Sequence, residues 1–287
     1  MGNIHSELIN NMSTLTSTTS TTRPTLGTGD VGKSYFETDS NKVLVWDGTG
    51  WNEWNTDLVL TPGFNNNNSV DLAGDDDIVT CGNIASINSA SNVSISCWVK
   101  ADTFPGSTFN SLWGGGNTGG NATGRFWLTA NSGRFNIYNG GTQNFSFTTT
   151  VSTGTWYHVV AVVSGSSNFT LYVNGSQVGG TVTTFTSLTS VSGNNFQMGG
   201  NPTYDPYFWD GLIDEFAVFP SALTSSQVTT IYNSGTPDDL STYFPTVWLR
   251  MGDDNGGTGS SVTNQGSTTT TNDGSLNNGA TFSSTTP

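Results

Sequence analysis

The stretch FTLYVNGSQVGG, residues 169–180, places strand-forming residues on either side of Asn174-Gly175. That dipeptide tolerates the two positive φ angles of a tight turn, so the chain reverses there into a hairpin. The pattern recurs along most of the sequence. In NVSISCWVK (92–100), Val93, Ile95, Cys97 and Val99 fall on one face and Trp98 on the other. GTWYHVVAVV (154–163) is apolar on both faces, as is YFWDGLIDEFAVF (207–219), which predicts central strands covered from both sides. One segment has helical spacing. Thr224 caps it, Gln227 completes a capping box, and Val228, Ile231 and Tyr232 form one apolar stripe before Gly235 and Pro237 stop it. Many strands with a single short helix predict an all-β sandwich.

Composition narrows the function classes. With 33% hydrophobic and 10% charged residues in 287, the surface must be built from Ser, Thr, Asn and Gly. Seven basic against 21 acidic residues leave a net charge of −14. That balance opposes nucleic-acid binding, which needs cations to displace counterions. No apolar run is long enough to span a membrane. The opening MGNIHSELINNM lacks the positive start and apolar centre of a signal peptide. Gly2 and Ser6 match the myristoylation pattern, which a Ser/Thr-rich arm also matches easily. Without an export signal, Cys81 and Cys97 read as buried free thiols, although they could pair if their strands are neighbours.

Three parts are expected. Residues 1–22 are a Ser/Thr-rich N-terminal arm, ending in STLTSTTSTT, with nothing to bury and no means of ordering itself alone. Residues 23–57 are a small β unit: KSYFE turns at TDSN into KVLVWDG, and TG turns again into WNEWN. Three short strands make too small a core for independent stability. The order of a proline, GDVGK, YFET and VWDGTGW resembles a module of phage tail-fibre and other virion appendage proteins; GDVGK departs modestly from its usual VGD. A generic β-meander is the plainer reading. Residues 58–287 are the sandwich.

Within the sandwich, SISCWVKAD, GTWYHVVAVV, FTLYVNGSQVGG and GLIDEFAVFPSALTSSQVTTIYNSG resemble, in order, the signatures of the concanavalin A-like, laminin-G-like domain. The resemblance spans roughly residues 64–235 and implies a jelly-roll of two curved antiparallel sheets, often with a bound calcium ion. Such domains usually open with a WxFD-like strand, a DxSGNxxxG loop and LxNGATF. Here VWLRMGDDNGGTG, TNQGSTTTTNDGSL and NNGATF carry those features after the helix. Residues 246–283 therefore resemble the family's opening strands moved to the other end, a circular permutation that completes the sandwich. A truncated second repeat is the alternative.

Retaining glycan hydrolysis needs two carboxyls about 5 Å apart across the substrate. The four glutamates, Glu7, Glu37, Glu53 and Glu215, form no E-x-D-x-x-E pattern. Adjacent residues on a strand face opposite ways, so Asp214 and Glu215 are not expected to pair. His158, between Trp156 and Val160, reads as a packed core group. No enzyme is expected. Asp75, Asp76 and Asp77 crowd together before a strand, and Asp214 lies among apolar neighbours, Leu212 and Phe216. These four are candidate ligands for a structural calcium ion; a solvated acidic turn with Asp214 capping a loop is the equal alternative. DDNGG (253–257) reads as a plain turn. Tyr204, Tyr207 and Trp209 are candidate contacts for a glycan or a neighbouring subunit, with Trp209 also readable as core. LWGGGNTGGNATG (112–124) is expected to be a loop that could serve likewise.

The expected function is a non-enzymatic bacteriophage virion protein, a head decoration or tail appendage. It would be anchored by its N-terminal part to other virion proteins and to its own copies as a homotrimer, with the sandwich contacting host glycans. A secreted or surface lectin is the alternative, and a glycan hydrolase the least favoured.

Overall fold

The computed structural model describes residues 16–30, 33–38, 40, 42–53, 64–104, 110–116, 125–131, 133–140, 143–188, 196–200, 207–268 and 271–287. The chain divides into two units, Met1–Phe64 and Asn65–Pro287. Strands are numbered in chain order.

The first unit is a four-stranded sheet of β1 (Thr16–Thr18), β2 (Ser34–Glu37), β3 (Lys42–Trp46) and β4 (Trp51–Glu53). Where the sequence suggested three strands, residues from the polar arm add a fourth, parallel to β2. Hydrogen bonds at the buried Thr18 hold it: Thr38 N donates to Thr18 O at 2.9 Å, and Thr18 Oγ1 donates to Thr22 O at 2.9 Å. Leu44 is the one fully buried hydrophobic side chain among the unit's described residues. Glu37, 1% exposed, is neutralised by Arg23 at 2.5 Å.

The second unit is a sandwich of antiparallel sheets, with its main core between them. The front sheet runs β14 (Ser176–Val182), β13 (Asn168–Val173), β12 (Trp156–Ser164), β7 (Asn92–Ala101), β16 (Asp210–Phe219), β5 (Ser69–Ala73) and β20 (Thr281–Ser283), with β17 (Val247–Leu249) also pairing with β16. The back sheet runs β11 (Gln143–Thr148), β10 (Arg134–Asn139), β9 (Arg125–Asn131), β8 (Asn110–Gly116), β15 (Phe196–Met198), β6 (Ile78–Gly82), β19 (Gly274–Asn277) and β18 (Ser261–Val262). This is the all-β sandwich that the strand pattern predicted, in the concanavalin A-like jelly-roll form that the resemblance implied. Residues 112–116 of the expected 112–124 loop belong to strand β8, because Leu112 and Trp113 are core side chains.

Part of the outer face of the front sheet is covered by a helix, while β14 stays largely exposed. Helix α1 (Ser225–Tyr232), closed by the Thr224–Gln227 capping box, buries Val228 and Ile231. Its Tyr232 ring lies 5.8 Å from Trp98 and 6.0 Å from His158. His158 is 2% exposed, bonds Ser96 Oγ through Nε2 at 2.8 Å, and is pushed by burial down to about 3. Its imidazole is a neutral packing group. Cys81 and Cys97 are free, and burial pushes both thiols up.

The C-terminal segment enters both sheets. Strand β17 pairs Leu249 with Phe216, β19 pairs Leu276 with Val79, and β20 pairs Phe282 with Val70. Val247, Leu249, Met251 and Val262 are fully buried in the shared core. Asn264 closes the intervening loop: Oδ1 accepts from Trp248 N at 2.8 Å, and Nδ2 donates to Thr271 O at 2.9 Å. Truncating the chain after Pro245 is expected to uncover Phe216, Val79 and Val70 and to yield insoluble protein. Solubility and thermal melting measure this; a soluble truncation with a cooperative transition would contradict it.

Candidate functional site

The back sheet presents polar side chains on its outer face. Cross-strand register fixes which residues share its outer face. One row reads Ser146, Asn136, Thr129, Ser111 across β11, β10, β9 and β8. The next reads Asn144 and Tyr138 on β11 and β10, then Gly114, Gln197, Thr80, Ser275 and Ser261 from β8 to β18. The alternate positions, including Leu128, Phe135, Ile137 and Val79, point into the core.

The first row is recessed and incompletely bonded. Ser111, Thr129 and Asn136 are at most 1% exposed. Asn136 Oδ1 accepts from Ser146 Oγ, yet Ser111 Oγ, Thr129 Oγ1 and Asn136 Nδ2 have no hydrogen-bond partner. Each such atom costs about 1–3 kcal/mol unless protein, ordered water or a ligand satisfies it. Three on consecutive strands form a connected set of a hydroxyl, a second hydroxyl and an amide. Half-buried Tyr138 flanks the row and lies within electrostatic reach of Tyr207; burial raises its phenol above the ordinary range. Tyr207 is also fixed to the row through its carbonyl, which accepts from Ser111 N at 2.9 Å.

Further along the same face, β6 and residues 271–275 enclose a polar cleft of about 410 Å³, lined by Thr80, Asn83, Asn272, Asp273 and Ser275 among others. The volume suits a small ligand. Its lining is hydroxyl, amide and carboxylate, which suits a ligand with many hydroxyls.

A sequence profile described as the concanavalin A-like lectin/glucanases superfamily matches residues 73–229, more than half the chain. The chain belongs to this superfamily. No curated protein sequence matches it. Among solved structures, a Bacteroides ovatus protein provisionally described as carbohydrate-binding shares 16% identity at a TM-score of 0.55, covering 77% of this chain and 60% of that one. The chain thus spans under two thirds of that neighbour. Domain 4 of the extracellular arabinanase AbnA from Geobacillus stearothermophilus, in complex with arabinotriose, shares 24% identity at a TM-score of 0.45, covering 57% and 76%. The carbohydrate-binding module of the Ruminococcus gnavus IT-sialidase, bound to α2,3 sialyllactose, shares 16% identity at 0.47, covering 57% and 95%.

The calcium ion that superfamily resemblance implies needs several oxygens converging on one point. Among the described residues, no group of three or more His, Cys, Asp or Glu side chains is placed to hold a metal. The four aspartates do not gather. Asp75 and Asp76 are exposed, and Asp77 Oδ2 accepts from Ala73 N at 2.9 Å, closing its own turn. Asp77 acts electrostatically, with Asp102 and Asp210, on Asp71, whose carboxyl is held above the ordinary range chiefly by burial. Asp214 belongs to a different cluster.

That cluster overturns the expectation that Asp214 and Glu215 face apart. Glu215 sits at φ 46°, and the register of β16 against β7 slips between Asp214 and Ala217. This bulge breaks the alternation and returns both carboxylates to one buried site. Asp214 accepts from Asn66 Nδ2 at 2.9 Å and from Glu215 N at 2.8 Å. Glu215 accepts from Trp248 Nε1 at 2.5 Å and Arg250 Nε at 3.2 Å, and Arg250 also holds Asp253 at 2.9 Å. At 0% and 2% exposure, neither carboxylate can reach a substrate. Trp209 is likewise corrected: it is 0% exposed, edge-on to Phe104 at 6.3 Å, and so is core rather than a contact. Tyr204 lies outside the described residues. Tyr207 is half-buried beside the unpartnered row. The row itself and the cleft escaped sequence reasoning; the one available signal was polar residues interrupting apolar strands, as in RFWLTAN.

Burial holds the Asp214 carboxyl well above its usual value, with Glu215 adding to it, and pushes Glu215 up to about 7 despite Arg250. Folded-state values raised above the unfolded ones mean the folded protein binds more protons between about pH 4.5 and 7. Stability is therefore full below that window and is lost as pH rises through it. The melting temperature is expected to be higher at pH 5 than at pH 8, and Glu215→Gln to flatten the slope. An unchanged slope in Glu215→Gln would assign the pH dependence elsewhere.

Proposed function

We propose that the sandwich is a non-enzymatic carbohydrate-binding domain that receives its ligand on the outer face of the back sheet. The carrying observation is the polar cleft between β6 and residues 271–275, where Thr80, Asn83, Asn272, Asp273 and Ser275 line a space of about 410 Å³ with hydroxyl, amide and carboxylate groups. Sugars offer many hydroxyls that both donate and accept, which matches this lining. Superfamily membership and a neighbour provisionally described as carbohydrate-binding support the reading.

In the same proposal, residues 1–57 anchor the protein in a virion, to other virion proteins and to its own copies, and the sandwich meets host glycans. The likeness of YFET and VWDGTGW to phage appendage modules supports this. So does a four-stranded sheet with a single fully buried hydrophobic among its described residues, since a sheet needs a second layer to be stable. We also read residues 246–283 as the superfamily's opening strands relocated. The profile ends at residue 229, while β17 to β20 fall beyond it.

Asp273→Asn, which keeps the Oδ1 acceptor for Asn264, and Ser275→Tyr, which fills the cleft from an exposed position, are expected to keep the melting temperature while weakening glycan binding at least tenfold. A glycan array finds the ligand and calorimetry measures both quantities. Undiminished affinity in both variants would move the binding site off this cleft.

A further inference from the structure

The turn after β17 holds a reactive arrangement that the binding cleft does not use. Four Asn-Gly pairs occur in the chain, at Asn139, Asn174, Asn255 and Asn278. In such a pair the glycine nitrogen can attack the asparagine side-chain amide, because glycine has no Cβ to obstruct the approach. We propose that Asn255 is a self-modification site, converting to aspartate and isoaspartate through a succinimide faster than the other three.

Geometry comes first. Asn255 Oδ1 accepts from Gly257 N at 3.1 Å and from Thr258 N at 3.3 Å. The ring closed by the first of these bonds contains both Cγ and Gly256 N, so the two reacting atoms share one small loop. Gly256 is exposed, at φ 68°, with nothing within 4 Å of its Cβ position. Its N–H makes no hydrogen bond among the described residues. The nucleophile is therefore open to hydroxide from solvent.

The Gly256 nitrogen gives its proton to hydroxide and bonds to Cγ, and negative charge passes to Oδ1. The N–H groups of Gly257 and Thr258 receive that charge, as the donors of an oxyanion hole do. The Cγ–Nδ2 bond then breaks, and Nδ2 takes a proton from water and leaves as ammonia. Water opens the succinimide at either acyl C–N bond, giving aspartate or isoaspartate. One preorganised oxyanion donor is worth about 10²–10³ in rate in an enzyme, so even two longer bonds at an exposed turn support a tenfold preference.

Each of the other pairs is obstructed. Asn139 is 1% exposed, and its Nδ2 holds Gln143 Oε1, Thr186 Oγ1 and Ser187 O, each at 3.2 Å. Asn174 Oδ1 has one donor, His158 N at 2.9 Å, but Gly175 packs so closely on Tyr232 that a Cβ would lie 2.9 Å from the ring. The Gly279 N–H is engaged by Asn277 O at 2.9 Å, and Gly279 packs against the Asp77 carboxylate.

Conversion changes the fold locally. Asn255 Nδ2 donates to Ser261 O at 2.7 Å and so ties the turn to β18, the edge strand of the back sheet. Aspartate puts an acceptor where that donor was, and isoaspartate also lengthens the backbone of the turn. Both release β18. Ser261 pairs with Ser275 in the cleft wall, so the change reaches the cleft.

The test is to incubate the full chain in mildly alkaline buffer, folded and in urea, and to follow all four sites by peptide mapping. Mapping separates asparagine, succinimide, aspartate and isoaspartate forms. In the folded protein Asn255 is expected to convert at least tenfold faster than Asn139, Asn174 and Asn278, and several-fold faster than it does in urea, where the four rates converge. Any of the other three keeping pace with Asn255 in the folded protein overturns the proposal. Conversion of Asn255 no faster in the folded protein than in urea overturns it too. Asn255→Asp is expected to lower the melting temperature, and an unchanged value overturns the release of β18.

Discussion

The Arg250 guanidinium joins three stretches of chain that are far apart in sequence. It contacts Asn65 O where the sandwich begins, Glu215 in the bulge of β16, and Asp253 in the turn after β17. Asp253 in turn accepts from the backbone N–H of Asn67 and Asn68, each at 2.8 Å. One cation thus sets where β5 enters, where β16 bends and where β17 docks. A buried ion pair of this kind adds little net stability over a hydrophobic substitute, but breaking it leaves uncompensated buried charge. Glu215 and Asp253 share the one guanidinium, Asp214 adjoins Glu215, and the raised proton affinity of Asp214 and Glu215 follows chiefly from burial, with the charge of Glu215 adding to it at Asp214.

The two sheets divide the work of the fold. The front sheet packs on the core on one side and carries α1 on part of the other; its buried Ser94 bonds Ser221 O and Leu223 N, both at 2.9 Å, while His158 Nδ1 and Trp156 Nε1 have no hydrogen-bond partner. The back sheet is closed once. Its outer side can carry polar groups at positions whose hydrogen bonding the fold leaves incomplete, a cost the well-packed core offsets. Binding chemistry accumulates where stability is least optimised.

Local signals were legible in the sequence and long-range ones were not. Asn174 and Gly175 adopt φ of 50° and 73°, as the hairpin pattern required, and Thr224 and Gln227 form both bonds of the capping box. Each depends only on near neighbours. The bulge at Glu215 was invisible because IDEFAV reads as a regular strand, and only the pull of Arg250 and Trp248 makes the extra residue worthwhile. Trp209 misled because an aromatic after prolines suits a rim as well as a strand start. The unpartnered row could not be found from the sequence. Ser111, Thr129 and Asn136 are unremarkable singly and acquire meaning only when register sets them side by side.

The place of β5 has a mechanical consequence. It is the first strand of the sandwich, yet it lies between β16 and β20, with Ser69 paired to Ser283 and its Oγ donating to Thr285 O at 2.8 Å. Tension applied through residue 65 therefore runs along a strand flanked on both sides. Such a pull must shear two hydrogen-bonded ladders together instead of unzipping one edge bond by bond. A domain threaded this way resists traction from its own leading end far better than its modest strand lengths suggest.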